Sequence, residues 1–110
     1  METNINLSTL SGTIHHIRRN EYPVGGKVAS FQLATQYYGR KKDGTPFGET
    51  TYHLVTVWEG PSVTPDMIDK LQEGQTLFVE GRLRNLPYEK SGDKIFTYEL
   101  LVKRMQVLTA

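Results

Sequence analysis

Six tyrosines, one tryptophan and thirteen Lys/Arg residues can do binding chemistry here, and they are interleaved along the chain. Tyr37 and Tyr38 directly precede Arg40, Lys41 and Lys42; Tyr52 and Trp58 share one face of a β-prone run; Tyr88 lies between Arg84 and Lys90. Rings stack on bases of any identity and cations follow phosphates, so the alternation suits sequence-independent capture of a single nucleic-acid strand. Each good stack is worth about 1–3 kcal/mol, and three or four make a useful site. Arg82 and Arg84 point to one side of a strand that leads to Tyr88, and a guanidinium can stack on a base or pair with a phosphate. Arg18 and Arg19 could edge the same groove. The plainer reading of hairpin cations such as Arg40, Lys41 and Lys42 is that they only keep a surface wet.

The rings divide by setting. Phe31 and Phe78 read as packing residues, although Phe78 lies on the parity opposite Leu77 and Val79 and could meet another subunit. Trp58 is open between a partly covered core or interface residue and a base platform. Only one of Tyr37 and Tyr38 can share the face of Tyr52, and Tyr38, nearer the basic run, is the one expected to do so.

Other chemistries find little support. Cysteine is absent, which removes disulfides, thiolate metal sites and thiol catalysis. His15 and His16 are adjacent, so on a regular strand their rings point to opposite faces, unlike a metal pair. His53 has no acidic partner at a recognisable metal spacing, and no phosphate-cradling glycine loop or nucleophile elbow appears. The expectation is no enzyme, no catalytic residue, no metal and no cofactor. The formal charge is only +1, so an electrostatic case rests on where the cations fall. Asp66, Asp69 and Glu73 sit apart from the basic clusters. No segment approaches the roughly 18 apolar residues of a membrane span, and the start lacks a signal-peptide pattern. The expected setting is soluble and intracellular.

The elements that must position these side chains are mostly strands. A chain of 110 residues fits one domain, residues 1–110. Ile5, Leu7, Leu10, Gly12 and Ile14 read as a first strand whose register shifts between Leu7 and Leu10, as a bulge would cause. A turn region at Asn20 to Lys27 contains Pro23 and Gly25-Gly26. Val28 to Tyr38 is a second strand with Ala29, Phe31 and Leu33 toward the core. Arg40 to Thr50 carries Asp43-Gly44 and Pro46, and is expected to be an exposed hairpin loop. Thr51 to Trp58 is a third strand with apolar side chains on both faces. Thr64 is an N-cap and Pro65 opens a helix of two turns or slightly more, stopped by Gly74, which should plug one opening of the sheet. Gln75 to Arg84 and Ile95 to Leu108 are the last two strands, the final one bent or bulged around Arg104, with a protruding hairpin turning at Ser91-Gly92-Asp93. Three strands, a short helix and two strands give an all-β, five-stranded Greek-key barrel of the oligonucleotide-binding type.

In order along the chain, Asn6…Leu10-Ser11-Gly12, Gly26…Val28-Ala29-Ser30-Phe31…Leu33-Ala34-Thr35, Tyr52-His53…Val55…Val57-Trp58 and Leu71…Gly74…Leu77-Phe78-Val79-Glu80-Gly81-Arg82-Leu83 resemble the bacterial single-stranded DNA-binding proteins. The stretch from Gly74 to Leu83 is the most specific part. The resemblance implies a barrel that usually forms a homotetramer, with a dimer as the other possibility, and coats single-stranded DNA in replication, recombination and repair, in the cytoplasm and associated with the nucleoid. It implies base stacking near Tyr38 or Gly39, on Tyr52, on Trp58 and on Tyr88, and a role for His53 in subunit association. Two departures stand out. A tryptophan common in the family falls on Gly39, and tyrosine replaces tryptophan at Tyr52 and Tyr88, so the aromatic surface is thinner and the footprint is expected to be weaker or of different size. Family members also continue into a linker and an acidic tip, whereas this sequence stops at Ala110, as either a truncated or a short tail-less member. Recruitment of other proteins by such a tip is therefore not expected. The competing function is a primosome or protein-interaction module on the same barrel, with nucleic-acid binding secondary.

Overall fold

The computed structural model describes residues 3–109, except for the side chains of residues 87–90 and 93–96. The order is β1 (Ser8–Tyr22), β2 (Gly26–Arg40), β3 (Pro46–Trp58), α1 (Pro65–Asp69), β4 (Thr76–Lys90) and β5 (Asp93–Thr109). The strands close into a barrel in the order β1-β2-β3-β5-β4. All neighbours are antiparallel except β3 and β5, whose parallel seam is three residue pairs long, Leu54 with Glu99 to Thr56 with Leu101. This is the expected all-β, five-stranded oligonucleotide-binding barrel, with its short helix between the third and fourth strands.

Alternation along each strand builds the inside. Ala29, Phe31 and Leu33 of β2, Val55 and Val57 of β3, Leu77 and Val79 of β4 and Leu100 of β5 are buried in one cluster. Val63, Ile68 and Leu71, from the segment around α1, are buried in the same core. Thr64 caps α1: its hydroxyl accepts from the Met67 amide at 3.2 Å, and Pro65 takes the first position. The helix is five residues long, shorter than the expected two turns. The chain leaves it after Asp69, and Gly74 turns back into β4 with a positive φ of 85°.

The structure moves one expected irregularity and shortens one loop. β1 pairs with β4 without interruption from Ser8 to Thr13, so there is no shift between Leu7 and Leu10; Leu7 lies before the strand and is exposed. The shift comes later. His15 pairs with Gln32 and Arg18 with Ser30, so His16 and Ile17 together face Phe31. His16 takes φ 55°, and the Ile17 amide donates to the Glu73 carboxylate at 3.3 Å. This bulge returns Ile17 to the core side and turns Arg18 outward. It also overturns the expectation for the histidine doublet, whose rings lie 6.4 Å apart instead of on opposite faces. The segment from Arg40 to Thr50 is mostly ladder: β3 begins at Pro46, paired with Arg40, and only residues 41–45 turn. Proline is acceptable as a first strand residue, where no ladder amide is needed. The bulge expected near Arg104 is present, since Glu80 pairs with Arg104 and Gly81 with Val102, leaving Lys103 extra. The β4–β5 hairpin turns through Ser91 and Gly92, both at positive φ, as a two-residue hairpin prefers.

Asn6, just before β1, extends the β1–β4 ladder with its side chain. Its amide nitrogen donates to the Leu83 carbonyl at 2.7 Å and its amide oxygen accepts from the Leu83 amide at 3.0 Å. Asn6→Ala removes both bonds from an exposed position, and is expected to lower stability by about 1 kcal/mol. A shift in the urea midpoint with an unchanged slope would record it.

Candidate nucleic-acid interface

The outer face of the sheet is built row by row from the pairing register. Thr13, Ala34 and Tyr52 form one row across β1, β2 and β3; His15, Gln32 and Leu54 the next; Arg18, Ser30 and Thr56 the third; Asn20, Val28 and Trp58 the fourth. Tyr38 extends this face up the β2–β3 hairpin, two side chains beyond Ala34 on the same parity, while Tyr37 lies on the opposite side against Phe47. The face expected for Tyr38 is therefore the one it takes.

Tyr38 and Tyr52 are 76% and 58% exposed, which in a folded domain leaves both rings available to a planar partner. His15 meets Tyr52 edge-on, with centroids 5.9 Å apart. Trp58 is 39% exposed, and Tyr22 lies against it at 5.6 Å and 31°. A carbon added at Gly25 would stand 3.4 Å from the indole. Trp58 is thus both a packed residue and a partly open one.

Between the rings run two adjoining grooves of about 310 and 350 Å³ that share Arg18, Ser30, Thr56 and Glu99. Arg84, from β4, and Arg18, from β1, both line the second groove. On the other flank of Trp58, Arg82 and Lys103 line a third groove of about 490 Å³ with Leu101. Arg82 and Arg84 thus share a strand face and enter different grooves.

The cations also differ in what holds them. Among the described residues, no carboxylate is within ion-pairing distance of Arg18, Arg40, Lys41, Lys42 or Arg82. Arg40 donates to the Gly44 carbonyl at 2.9 Å, which holds it over the hairpin turn. In that turn Asp43 accepts from the Thr45 amide at 2.9 Å, and hydrogen bonds from Thr45 hold its carboxyl below the usual range. Arg19, whose Nε donates to the Ile68 carbonyl at 3.2 Å, is tied to the segment around α1, and it lines the second groove together with Arg18, as expected for the pair. Arg84 is paired with Glu99 at 2.6 Å.

His53 is half-buried on the inward parity beside Leu33, and its Nε2 lies 2.9 Å from the Thr35 hydroxyl of the same chain. Tyr88 and Lys90 belong to β4 by backbone pairing, with Ile95 and Asp93. Their side chains lie outside the described residues. Sequence reasoning missed Tyr22, Thr56 and Glu99. The expected turn starts three residues too early, at Asn20 instead of Pro23, and so takes in Tyr22; Glu99 has a signal, a lone carboxylate inside the apolar run from Tyr98 to Val102. Among the described residues no group of three or more His, Cys, Asp or Glu could hold a metal, and no helix is long and apolar enough to cross a membrane.

A barrel of this order recurs in solved proteins. The structure superposes with a TM-score of 0.80 on an SSB from Plasmodium falciparum in complex with ssDNA, at 22% identity over 100% of this chain and 98% of that one. It superposes at 0.73 on a single-stranded DNA-binding protein from Thermus aquaticus, 27% identical, over 94% of this chain and 50% of that one. A small single-stranded DNA-binding protein from Streptomyces coelicolor also matches at 0.73, with 14% identity over 96% and 95% of the two chains. Among curated proteins, single-stranded DNA-binding protein 1 of Chlorobaculum tepidum is 30% identical over 95 residues, 84% of this chain. The match spans 57% of that relative's length. The sequence profile described as the single-strand binding protein family matches residues 5–108, from before Asn6 to the last residue but one of β5. That match takes in the barrel, the rows of its outer face and the Gly74 to Leu83 stretch together, and the chain belongs to the single-strand binding protein family.

Proposed function

We propose that this chain binds single-stranded DNA without regard to sequence, laying bases on Tyr38, Tyr52 and Trp58 while Arg18, Arg40, Lys41, Lys42 and Arg82 meet phosphates. Tyr88 and Lys90 extend the same site along the β4–β5 hairpin. The observation that carries the reading is one face on which Tyr52 and Trp58 are both open and Arg18, with no carboxylate at ion-pairing distance among the described residues, stands in a row between theirs. Family membership supports it, as does the name of the Chlorobaculum tepidum relative. Assembly as a homotetramer, with His53 near a subunit contact, belongs to the same proposal, as does service in replication, recombination or repair.

The test is a fluorescence titration with oligothymidine, duplex DNA and RNA of matched length over a series of salt concentrations. Single-stranded DNA is expected to quench the tyrosine and tryptophan emission and to bind more tightly than duplex. Five cations on phosphates predict a slope of log K against log salt of about −3.5, at about 0.7 per single-strand contact. Absence of quenching and of any mobility shift at low salt would sink the proposal. Light scattering with and without the oligonucleotide gives the subunit number.

A further inference from the structure

Glu99 is the one charged residue buried among the described residues, and it lies on the floor of a groove otherwise suited to a polyanion. Its side chain is 6% exposed, and both oxygens are taken. Oε1 accepts from Arg84 Nε at 2.8 Å and lies 2.6 Å from Arg84 Nη2. Oε2 accepts from the Thr56 hydroxyl at 2.8 Å, and that hydroxyl is 3.5 Å from the Ser30 hydroxyl. The network crosses β4, β5, β3 and β2 in sequence, over the rows that carry Arg18 and Trp58.

We propose that Glu99 is a positioning residue that neutralises Arg84 in place, so that Arg84 meets a base of the bound strand instead of a phosphate. The inference rests on the single-stranded DNA reading above. Held by its Nε and Nη2 edge, the guanidinium keeps the hydrogens of its far end, which suit a ring nitrogen or carbonyl oxygen on a base edge, and its flat face, on which a base can stack. A phosphate gains little from it. The Arg84–Glu99 pair has no net charge to displace counterions, and a phosphate that took the guanidinium away would leave a buried carboxylate unpaired. Arg18 and Arg82, with no carboxylate at hand among the described residues, carry the phosphate role on either side of Trp58.

The experiment compares the full chain with three variants on oligothymidine and on an abasic strand of equal length, over a salt series. The charge-neutral double change Arg84→Met with Glu99→Gln is expected to bind oligothymidine about tenfold more weakly at every salt concentration with the slope unchanged, and the abasic strand as well as the unaltered protein does. Glu99→Gln alone frees the guanidinium and is expected to steepen the slope by about 0.7, one further phosphate. Arg84→Lys leaves Glu99 paired but lacks the planar fork, so it decides the matter even if loss of the carboxylate unfolds the barrel: expected is a loss on oligothymidine only, at constant slope. The proposal is overturned if the double variant loses about 0.7 in slope, if Glu99→Gln leaves the slope where it was, or if Arg84→Lys weakens both strands alike. An unaltered chain that binds neither strand overturns the single-stranded DNA reading itself, a result distinct from any of these.

Discussion

Replacing Tyr52 and Trp58 together with alanine is expected to weaken oligothymidine binding about a thousandfold at fixed salt, with little change in salt slope. The two residues are six positions apart on one strand, about 20 Å at 3.4 Å per residue, too far to share a base or a partner side chain. Their contributions should therefore add. Each stack removed costs about 2 kcal/mol, and the sum of about 4 kcal/mol corresponds to that thousandfold. The slope stays because neither ring carries charge. Tyr52→Ala also loses the edge contact with His15, and Trp58→Ala uncovers Tyr22, so unfolding midpoints must accompany the titrations. A folded double variant that loses less than tenfold, or whose slope falls, would show that these rings pack and do not bind.

Which of this was legible in the sequence follows from what alternation can and cannot record. The order of the elements along the chain, the helix between β3 and β4 and the inward face of β2 follow from parity and turn residues, and the structure has them; the apolar side chains on both faces of β3 leave its outer face open in the sequence, and only nearness to the basic run selects Tyr38 to join Tyr52. The bulge at His16 and Ile17 was misplaced. Its trace is the spacing of Ile14 and Ile17, three residues apart and both directed to the core, but the same break in parity between Leu7 and Leu10 points instead to the start of the strand, where Leu7 lies outside it. Without the bulge, Arg18 would point inward. Its place in the groove therefore follows from the bulge, whose Ile17 amide donates to Glu73, 56 residues away in sequence, a contact no local pattern can show. Asp43-Gly44 and Pro46 mark a turn and predict a loop over Arg40 to Thr50; cross-strand pairing with β2 overrides that local composition. The burial of Glu99 has a trace, the lone carboxylate in an apolar run, but what satisfies its second oxygen does not, since Thr56 is 43 residues away.

Gly81 is where the barrel is expected to be least forgiving. It pairs with Ser8 of β1 on one side and with Val102 of β5 on the other, at the bulge where β5 carries Lys103 as an extra residue. A Cβ built there would overlap the Leu101 carbonyl oxygen and stand 3.1 Å from the Leu100 side chain. Neither neighbour can move freely: Leu100 is buried in the core, and Leu101 belongs to the three-pair parallel seam that closes β5 on β3. Gly81→Ala is therefore expected to cost about 3 kcal/mol or more, against a total of about 5–15 kcal/mol for a domain of this kind. That is a fall in Tm of about 12 °C or more. Gly60→Ala is the matched control, because an added carbon there meets nothing within 4 Å and no positive φ is required; it should shift stability by less than about 0.5 kcal/mol. If the two variants melt within a degree or two of each other, the close approach of backbone to backbone is not what demands glycine in Val79-Glu80-Gly81-Arg82-Leu83. If they separate as expected, that stretch, the part of the sequence that most resembles its family, reflects barrel closure, and the proposed nucleic-acid site depends on it only through Arg82 within it and Arg84 just beyond it, carried in register.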